Sequence, residues 1–486
     1  MRLLRQPVIL LLAMLLSTMI TRGFQRRGLR AASRTAVTAS SSSTATHFYD
    51  HVLGSPKFFS APMVDQSELA FRLLVRQHGA DVAFSQMMHA RNFVNDRKYR
   101  SECVDWLDYS NSMGTAEASQ RLDRPLIVQL AGDNPATLVK AGQLVHHDAA
   151  AVDLNLGCPQ KIAKTGNYGA YLLPQRDTIV KCLSALVQNL ACPVTAKIRV
   201  LDKDEDTLAL CLAIEATGIS MLTVHGRTVD NNKLFVGAVN WDIIGKIKQA
   251  VSIPVVANGG IATRADALRC LDETGCDGVM SSEALLENPK LFSAEGDRAF
   301  REDYVRAQLA TVAEYVALVN AHALPRPLFQ VTRSHLFKML HRFVDCKAHA
   351  DLREQLATGD WATMQAVYWQ LRDRLAAVDF NTPLAEERGL IGPTGWYYRH
   401  RDARAETRIL SLPRRRATSG ARGSNLSVQR DDGDKAEGGS DEVSAAAAVG
   451  QRLSALKERL ASKRQGVAAV PAPSSSFSRF IAKVDS

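Results

Sequence analysis

One cysteine of the sequence lies where packing explains it poorly. Cys158 stands between Gly157 and Pro159 after a short apolar run, and a glycine-containing loop follows at residues 164–170. A thiol in this setting could serve as a nucleophile or as an acid, and its ordinary pKa of about 8.5 keeps it mostly protonated at neutral pH, which suits an acid. Four other cysteines are expected to be small buried hydrophobes, namely Cys182, Cys192, Cys211 and Cys270.

A lysine interrupts a second apolar run. Lys197 is the central residue of the segment TAKIR, residues 195–199, which has the composition of a buried strand. A buried ammonium group is costly unless an anion or a polar ligand meets it. Lys197 is therefore expected either to meet negative charge on a ligand or to form a structural ion pair in the core.

Two further segments predict an anion site. Asn258-Gly259-Gly260 precedes a helix predicted to begin near Thr263, and Ser282-Glu283 precedes another apolar helical segment. Glycine lets backbone N–H groups approach an anion at the positive end of a helix dipole. An isolated Asn-Gly-Gly could be only a tight turn, but the two loops together predict a phosphate site.

These residues close apolar, β-branched runs that recur along the chain. The runs start 24 to 43 residues apart, as a strand, a loop and a helix require, and they predict a (β/α)8 TIM barrel, an α/β fold whose chemistry lies at the carboxyl ends of its strands. An open doubly wound sheet is the alternative, but no GxGxxG follows any of the runs. The eight runs are residues 58–64, 82–88, 125–132, 151–158, 193–200, 221–227, 254–261 and 278–282.

Helical periodicity replaces strand patterns after the barrel, as in residues 304–320, 325–345 and 361–378. We therefore predict a targeting or disordered segment (1–48), a barrel (49–296), a small all-helical domain (297–402) and a mostly disordered tail (403–486), with a possible lone helix near 443–464.

The formal charge of +10 comes from the ends of the chain, because residues 1–49 carry +7 and residues 403–486 carry +6. About −3 remains for residues 50–402, so any RNA contact there must depend on a local basic patch.

The first segment has the composition of an import signal. Arg2 and Arg5 precede an apolar run at residues 8–20, and no acidic residue occurs before Asp50. The run is too short to span a bilayer comfortably, so we expect no stable membrane association of the mature protein. We predict import into a plastid, including a complex plastid, or a mitochondrion; without a functional signal the protein would be cytoplasmic or nuclear.

None of the eight cysteines forms a CxxC pair, so we expect reduced thiols and no metal, and a monomer is the default.

Together the motifs resemble those of the tRNA-dihydrouridine synthase family, densely over residues 57–295 and loosely over 300–400. The form of these motifs is most similar to that in the eukaryotic branch of the family, which acts near positions 16 and 17 of the tRNA D-loop. Ser282-Glu283 departs from the Gly-Arg pair common in bacterial members, so phosphate contacts there are expected from backbone N–H groups. The motifs are APM (61–63), QLAG (129–132), DLNLGCP (153–159), GNYGAYLL (166–173), KIR (197–199), HGR (225–227), NGGI (258–261) and GVMSSEALLENPKLF (278–292).

The resemblance implies reduction of the C5–C6 bond of specific uridines in tRNA. NADPH or NADH would reduce FMN, hydride would pass to C6, and Cys158 would protonate C5. Asn155 and Arg199 would hold the uracil, which must leave its stack to react. In a flavin site Lys197 would stabilise negative charge near N1 and O2 of the ring. The residues implied to bind FMN are Ala61, Pro62, Met63, Gln129, Lys197, His225, Asn258, Gly259, Gly260, Ser282 and Glu283.

The helical domain is implied to contact tRNA phosphates through Arg333, Lys338 and Arg342. Helical spacing predicts that His335, Lys338 and Arg342 share one face, with Leu336, Phe337 and Leu340 turned away from it. A solvated basic face is the alternative. Trp396-Tyr397-Tyr398-Arg399 loosely resembles an aromatic and basic segment of the family and could equally be a domain lid.

Two other functions fit parts of the pattern. One is an FMN barrel acting on a free pyrimidine, such as a dihydroorotate dehydrogenase, which would not need the helical domain. The other is a catalytically silent RNA-binding protein built on the barrel, which would bind tRNA without flavin.

Overall fold

A computed structural model of the chain describes residues 44–104, 123–231, 236–322 and 329–399. The chain divides into two units, residues 1–413 and 414–486, and all described residues belong to the first. The apolar run of the predicted import segment and the predicted tail with its lone helix lie outside the described residues.

The sheet is a closed parallel barrel, as the spacing of the apolar runs predicts. The strands are β1 (Phe58–Ser60), β2 (Val82–Phe84), β3 (Met88–His89), β4 (Leu126–Ala131), β5 (Ala151–Leu156), β6 (Val194–Arg199), β7 (Met221–His225), β8 (Val255–Asn258) and β9 (Gly278–Ser281). Their order is β2-β1-β9-β8-β7-β6-β5-β4-β3, and a β2–β4 pairing closes the barrel. Eight strands form the cylinder, and the two-residue β3 adds only to the end of β4.

Helices cover the barrel and then continue alone. The barrel region contains α1 (Leu69–Gln77), α2 (Ala90–Asn95), α3 (Arg97–Val104), α4 (Pro135–Gln143), α5 (Lys161–Thr165), α6 (Arg176–Asn189), α7 (Asp204–Glu215), α8 (Trp241–Ala250), α9 (Arg264–Thr274) and α10 (Glu283–Glu287). The following region contains α11 (Ala294–Glu302), α12 (Tyr304–Ala321), α13 (Phe329–Met339), α14 (His341–Val344), α15 (Ala350–Thr358), α16 (Trp361–Ala376) and α17 (Thr382–Glu387). No helix within the described residues is long and apolar enough to cross a membrane.

The lower part of the barrel interior is apolar and is closed by residues that precede β1. Phe48 and Tyr49, in the short π-helix Phe48–Val52, are buried against the inward-facing side chains of the strands, including Phe59 and Met280. Tyr49 donates its hydroxyl hydrogen to Pro56 O at 2.6 Å. The folded region therefore includes Ala45 and Phe48, which the predicted boundary assigned to the targeting segment.

Candidate active site

Above this apolar layer the barrel interior becomes polar toward the carboxyl ends of the strands. The strand register places Asn155 beside Lys197, Arg199 beside His225, and His225 beside Asn258. Side chains at alternate positions of a strand face the same side, so these residues share the interior with Gln129 and Asp153. The structure thus brings together the polar strand ends that the sequence predicted at one mouth.

A continuous chain of hydrogen bonds runs from the centre of the barrel to the loop after β5 that contains Gly157 and Cys158, here called the cysteine loop. Asp153 accepts from Gln129 Nε2 at 2.8 Å and from Thr195 Oγ1 at 2.7 Å. Asn155 Nδ2 donates to Gln129 Oε1 at 2.7 Å. Asn155 Oδ1 accepts from the backbone N–H groups of Gly157 and Cys158, at 3.2 and 3.0 Å. Each amide in the chain is therefore held in one orientation.

That orientation limits what Asn155 can offer to a ligand. Both lone pairs of its Oδ1 atom accept from backbone N–H groups, and one Nδ2 hydrogen is used by Gln129. Only the second Nδ2 hydrogen remains, so Asn155 presents a donor and is suited to a carbonyl oxygen. Asn155 is 8% exposed at the end of β5, which leaves it within reach of a ligand in the mouth.

Cys158 lies at the rim and is only partly buried. It packs beside Met87, Tyr168 and Tyr171, and its carbonyl oxygen accepts from Ala170 N at 3.1 Å. Gly169 has a φ of +67°, and a Cβ there would meet Cys158 O at 2.8 Å, so only glycine allows this approach. Burial raises the pKa of the Cys158 thiol. The backbone N–H of Gln160 and the positive charges of Arg199 and Lys197 lower it, but burial has the larger effect. This shift favours the protonated form of the thiol.

Lys197 stands in the polar layer and is partly exposed. Its Nζ donates to Asn258 Oδ1 at 2.9 Å, and Asn258 Nδ2 donates to Met280 O at 2.9 Å. Burial and the nearby Arg199 lower the pKa of Lys197 to about 8, while Asp153 and Cys158 act in the opposite direction. The ammonium group thus donates to a neutral amide and not to a carboxylate, which disfavours the structural ion pair.

Arginine and histidine side chains shape the mouth next to the cysteine loop. Arg199 donates to Gly157 O and to Thr228 O, both at 2.8 Å, so it ties the loop after β5 to the loop after β7. His225 Nε2 lies 3.4 Å from Arg227 Nη1. Arg199 is 8% exposed, so a direct substrate contact by its guanidinium stays a prediction.

The glycine loop after β8 has the conformation that an anion site needs. Gly259 and Gly260 have φ angles of +104° and +74°, and a Cβ at Gly259 would meet the His225 ring at 2.8 Å. Trp241 Nε1 donates to Gly259 O at 3.0 Å. Thr263 caps α9 in a reciprocal arrangement with Asp266, which confirms the predicted helix start. The backbone after β8 can therefore approach a ligand without interference from a side chain.

The loops after β9 and β1 complete this side of the mouth. Ser281 Oγ donates to Ile261 O at 2.9 Å, and Ser282 occupies the N-cap position of α10 ahead of Glu283. Ala61 N donates to Ser281 O at 3.0 Å and joins the two loops. Pro62 and Met63 follow Ala61 and are half-buried. The residues predicted to bind a cofactor thus lie at or just beyond strand ends of the same barrel, except Gln129 and Lys197, which lie within β4 and β6.

The helical region differs from the predicted basic face. His335 is fully buried, and its Nε2 lies 2.8 Å from Oε2 of Glu68, the residue that precedes α1. The helix ends at Met339 and restarts at His341, so Arg342 is not on the same regular helix as His335 and Lys338. The prediction of one shared face was wrong, because tertiary packing placed His335 in the core, where Leu336 and Leu340, predicted to be turned away from that face, are buried as well.

The three predicted phosphate ligands have separate surroundings. Arg333 Nη2 donates to Gly359 O at 2.5 Å, and Arg342 contacts Gly392 O at 2.6 Å and Glu386 at 2.5 Å. Lys338 Nζ lies 5.1 Å from the centre of the Trp396 ring, and α13 packs against α10 at the barrel mouth. Lys338 therefore lies on a helix that packs at the barrel mouth.

Sequence reasoning missed two residues around Cys158. Asp153 anchors the hydrogen-bond chain, and its pKa is raised to about 6, because burial outweighs its bonds with Gln129 and Thr195. An acid in the middle of a buried apolar run was the available signal. Tyr168, 5% exposed, packs beside the cysteine, and nothing in its local sequence distinguished it from an ordinary core aromatic residue. Within the described residues no group of three His, Cys, Asp or Glu side chains could hold a metal ion.

The fold and this site define a TIM-barrel protein with a candidate ligand site at the carboxyl ends of its strands. The profile of the family described as dihydrouridine synthase matches residues 59–373, so the chain belongs to this family. A Rattus norvegicus protein named tRNA-dihydrouridine(16/17) synthase, NAD(P)(+)-like, is 41% identical over 310 residues, which cover 64% of this chain and 65% of that protein.

Two yeast proteins named tRNA-dihydrouridine(16/17) synthase, NAD(P)(+), are also similar. The Saccharomyces cerevisiae protein is 37% identical over 317 residues, 65% of this chain and 72% of its own length. The Schizosaccharomyces pombe protein is 34% identical over 349 residues, 70% of this chain and 84% of its own length. The chain thus spans just under two thirds of the rat relative and more of the yeast relatives.

Proposed function

We propose that the protein reduces uridines of tRNA to 5,6-dihydrouridine, with NADPH or NADH as reductant and FMN as cofactor. The observation that carries the proposal is a half-buried thiol, Cys158, at the same barrel mouth as Lys197 and the glycine loop of Gly259 and Gly260. Membership of the dihydrouridine synthase family supports the reaction. The names of the relatives support positions 16 and 17 as the target.

The residues of the mouth fit FMN in charge and in backbone conformation. The positive φ angles of Gly259 and Gly260 leave bare backbone beside α9, as a phosphate group needs. Lys197 faces a neutral amide and retains a positive charge below about pH 8, which suits an electron-rich ring. When bound, FMN would supply the hydride that adds to C6 of the uracil. The residues proposed to hold it are Ala61, Pro62, Met63, Gln129, Lys197, His225, Asn258, Gly259, Gly260, Ser282 and Glu283.

The side chains of this protein position the uracil and deliver a proton. Saturation of the C5–C6 bond consumes one hydride and one proton, and the thiol of Cys158 gives the proton to C5 and regains one from solvent. Its raised pKa keeps the proton available at neutral pH. The remaining Nδ2 hydrogen of Asn155 donates to a ring carbonyl of the uracil. Arg199 supports the proton transfer and the uracil contact by fixing the loop that contains Gly157 and Cys158.

The helical region supplies cations for the rest of the tRNA. Lys338 lies next to Trp396, and the Arg399 guanidinium carbon is 3.2 Å from the centre of the same ring. We propose that Arg333, Lys338 and Arg342 contact phosphates of the tRNA. Lys338 makes the most important of these contacts, because its helix α13 packs beside α10 at the barrel mouth. A free pyrimidine would not use these residues.

Replacement of the thiol tests the proposal. The full chain, loaded with FMN, is compared with Cys158→Ala and with the control Cys192→Ala, another partly buried cysteine outside the mouth. We expect Cys158→Ala to keep the flavin absorbance and to lose about 100-fold or more in dihydrouridine formation in tRNA, because a positioned general acid contributes about that much. Dihydrouridine is mapped in tRNA by mass spectrometry.

Two results would contradict the proposal. Full activity of Cys158→Ala would remove the thiol from the reaction. Reduction of free uracil or oxidation of dihydroorotate by the wild-type protein, without activity on tRNA, would favour the free-pyrimidine enzyme instead.

A further inference from the structure

The short helix after the cysteine exposes an apolar side chain where the substrate must approach. Ile162 in α5 is 58% exposed, the highest value among the exposed large hydrophobic residues of the described chain. Lys161 and Lys164 on either side of it are also exposed. Ile162 follows Cys158 by only four residues. An isolated exposed isoleucine would need no explanation, but this one lies between two cations on the short helix that follows Cys158.

The position of α5 is fixed relative to Cys158. Ala163, the buried residue of α5, packs in the same small cluster as Cys158 and Tyr168. Tyr168 N donates to Ala163 O at 3.0 Å. Asn167 Nδ2 donates to Asp133 Oδ2 at 3.0 Å, which ties the end of α5 to the loop after β4. Ile162 is therefore held on a supported helix, with its side chain turned away from that cluster and toward solvent.

The proposed reaction creates a need that such a side chain can meet. A uridine must leave its stack to place C5 and C6 against the mouth, and unstacking costs a few kcal/mol. Proteins that unstack nucleic-acid bases frequently insert an apolar side chain into the gap. Lysines beside the insertion point can bind the adjacent phosphates. Exposed apolar surface between two cations, next to the reactive group, matches each of these requirements.

We propose that Ile162 is a wedge that occupies the space left in the tRNA by the extruded uridine, while Lys161 and Lys164 bind the phosphates on either side. The inference rests on the proposed function and adds to it the group that stabilises the extruded state. The occupant of this surface is an RNA strand and not a protein helix, because α5 presents a single apolar side chain flanked by positive charge.

The matched variants are Ile162→Ala and Leu144→Ala. Leu144 is 54% exposed, close to Ile162 in exposure, and it follows the end of α4, which runs back from β4 to the opposite end of the barrel. Each full-chain protein is loaded with FMN and assayed on folded tRNA and on a short single-stranded RNA with the same target sequence. A second readout is the fluorescence of 2-aminopurine placed next to the target uridine, measured without NADPH.

We expect Ile162→Ala to lower kcat/KM on folded tRNA about tenfold and to weaken the 2-aminopurine fluorescence increase, because the extruded state loses its support. On the single-stranded RNA the variant should be within about threefold of wild type, since little stacking has to be broken. Leu144→Ala should match wild type throughout. Lys161→Ala and Lys164→Ala should each reduce the dependence of tRNA affinity on salt by about one phosphate contact.

The outcomes separate the wedge from the proposed function. If the wild-type protein forms no dihydrouridine, the proposed function fails. If it is active and Ile162→Ala matches it in both rate and fluorescence, the wedge is refuted. An equal loss on folded and single-stranded RNA would also refute it, because the side chain would then serve a step other than extrusion.

Discussion

At the residue scale, the carboxylate of Asp153 determines which way two neighbouring amides face. An ionised carboxylate only accepts hydrogen bonds, so the Nε2 atom of Gln129 points toward it. Gln129 then offers its oxygen to Asn155, and the backbone N–H groups of the cysteine loop select the same orientation from the other end. The remaining donor hydrogen of Asn155 is thereby oriented before any ligand binds, as the proposed contact with a uracil carbonyl requires.

The charge of Lys197 gives a pH-dependent prediction at the same scale. Its pKa is lowered to about 8, so it is charged below that pH and increasingly neutral above it. We expect the affinity of the FMN-free protein for FMN to fall as pH rises from about 8 to about 9, by at most about tenfold, because one proton is lost. Lys197→Met should bind more weakly and lose this dependence. FMN fluorescence titrations measure both.

Lys181→Met is the matched control for this effect, because Lys181 is exposed on α6, outside the barrel. It should keep the wild-type pH dependence. If the affinity of Lys197→Met for FMN fell with rising pH as that of the wild type does, a group other than Lys197 would bind the flavin electrostatically.

At the element scale, a buried network joins the barrel to the helical region. Glu68, which precedes α1, accepts from Tyr315 Oη of α12 at 2.7 Å and contacts His335 Nε2 of α13 at 2.8 Å. Burial would raise the pKa of Glu68, but the charge and hydrogen bond of His335 and the hydroxyl of Tyr315 lower it. The His335 ring also stacks on Phe71 at 4.4 Å. These contacts fix α13, and with it Lys338, relative to the barrel mouth.

Removal of the buried carboxylate should be costly. We expect Glu68→Ala to reduce the free energy of unfolding by about 3–5 kcal/mol, because it leaves His335 and Tyr315 without their buried partner. Urea denaturation of the full chain measures the change. Glu314 likewise contacts two partners, His78 at 2.5 Å and Lys290 at 2.6 Å, but its side chain is 38% exposed.

Glu314→Ala should therefore cost only about 0–1 kcal/mol, as exposed pairs do. Equal losses in the two variants would mean that burial does not set the strength of the Glu68 contacts.

At the scale of the whole molecule, the barrel depends on residues before its first strand. Phe48 is 1% exposed and packs with Phe59, Val82 and Met280 across the bottom of the cylinder. Phe48→Ala should lower the free energy of unfolding by about 3–5 kcal/mol, through lost burial and the cavity left behind. Thermal and urea denaturation measure it.

Val52 is in the same short helix but is 46% exposed. Val52→Ala should change stability by no more than about 0.5 kcal/mol. If both variants unfold like wild type, the segment before β1 does not stabilise the barrel.

The sequence alone determined the positions of the eight barrel strands and the residues at their ends. Strands buried on both faces read as short apolar runs, and their regular separation by helices leaves a closed parallel barrel as the simplest arrangement. The polar ends, among them Gln129, Lys197 and Asn258, were visible because they interrupt those runs. Their convergence followed from the closure of the barrel.

Only the tertiary structure decided the contacts between distant segments. The pairing of Glu68 with His335 joins residues 267 positions apart, and no local pattern distinguishes that buried histidine from one on a basic face. The orientation of Asn155 and the closing of the barrel by Phe48 were likewise invisible, because each depends on partners from other elements. Periodicity reports which face of an element is apolar, whereas hydrogen bonding and ion pairing depend on what packs against that face.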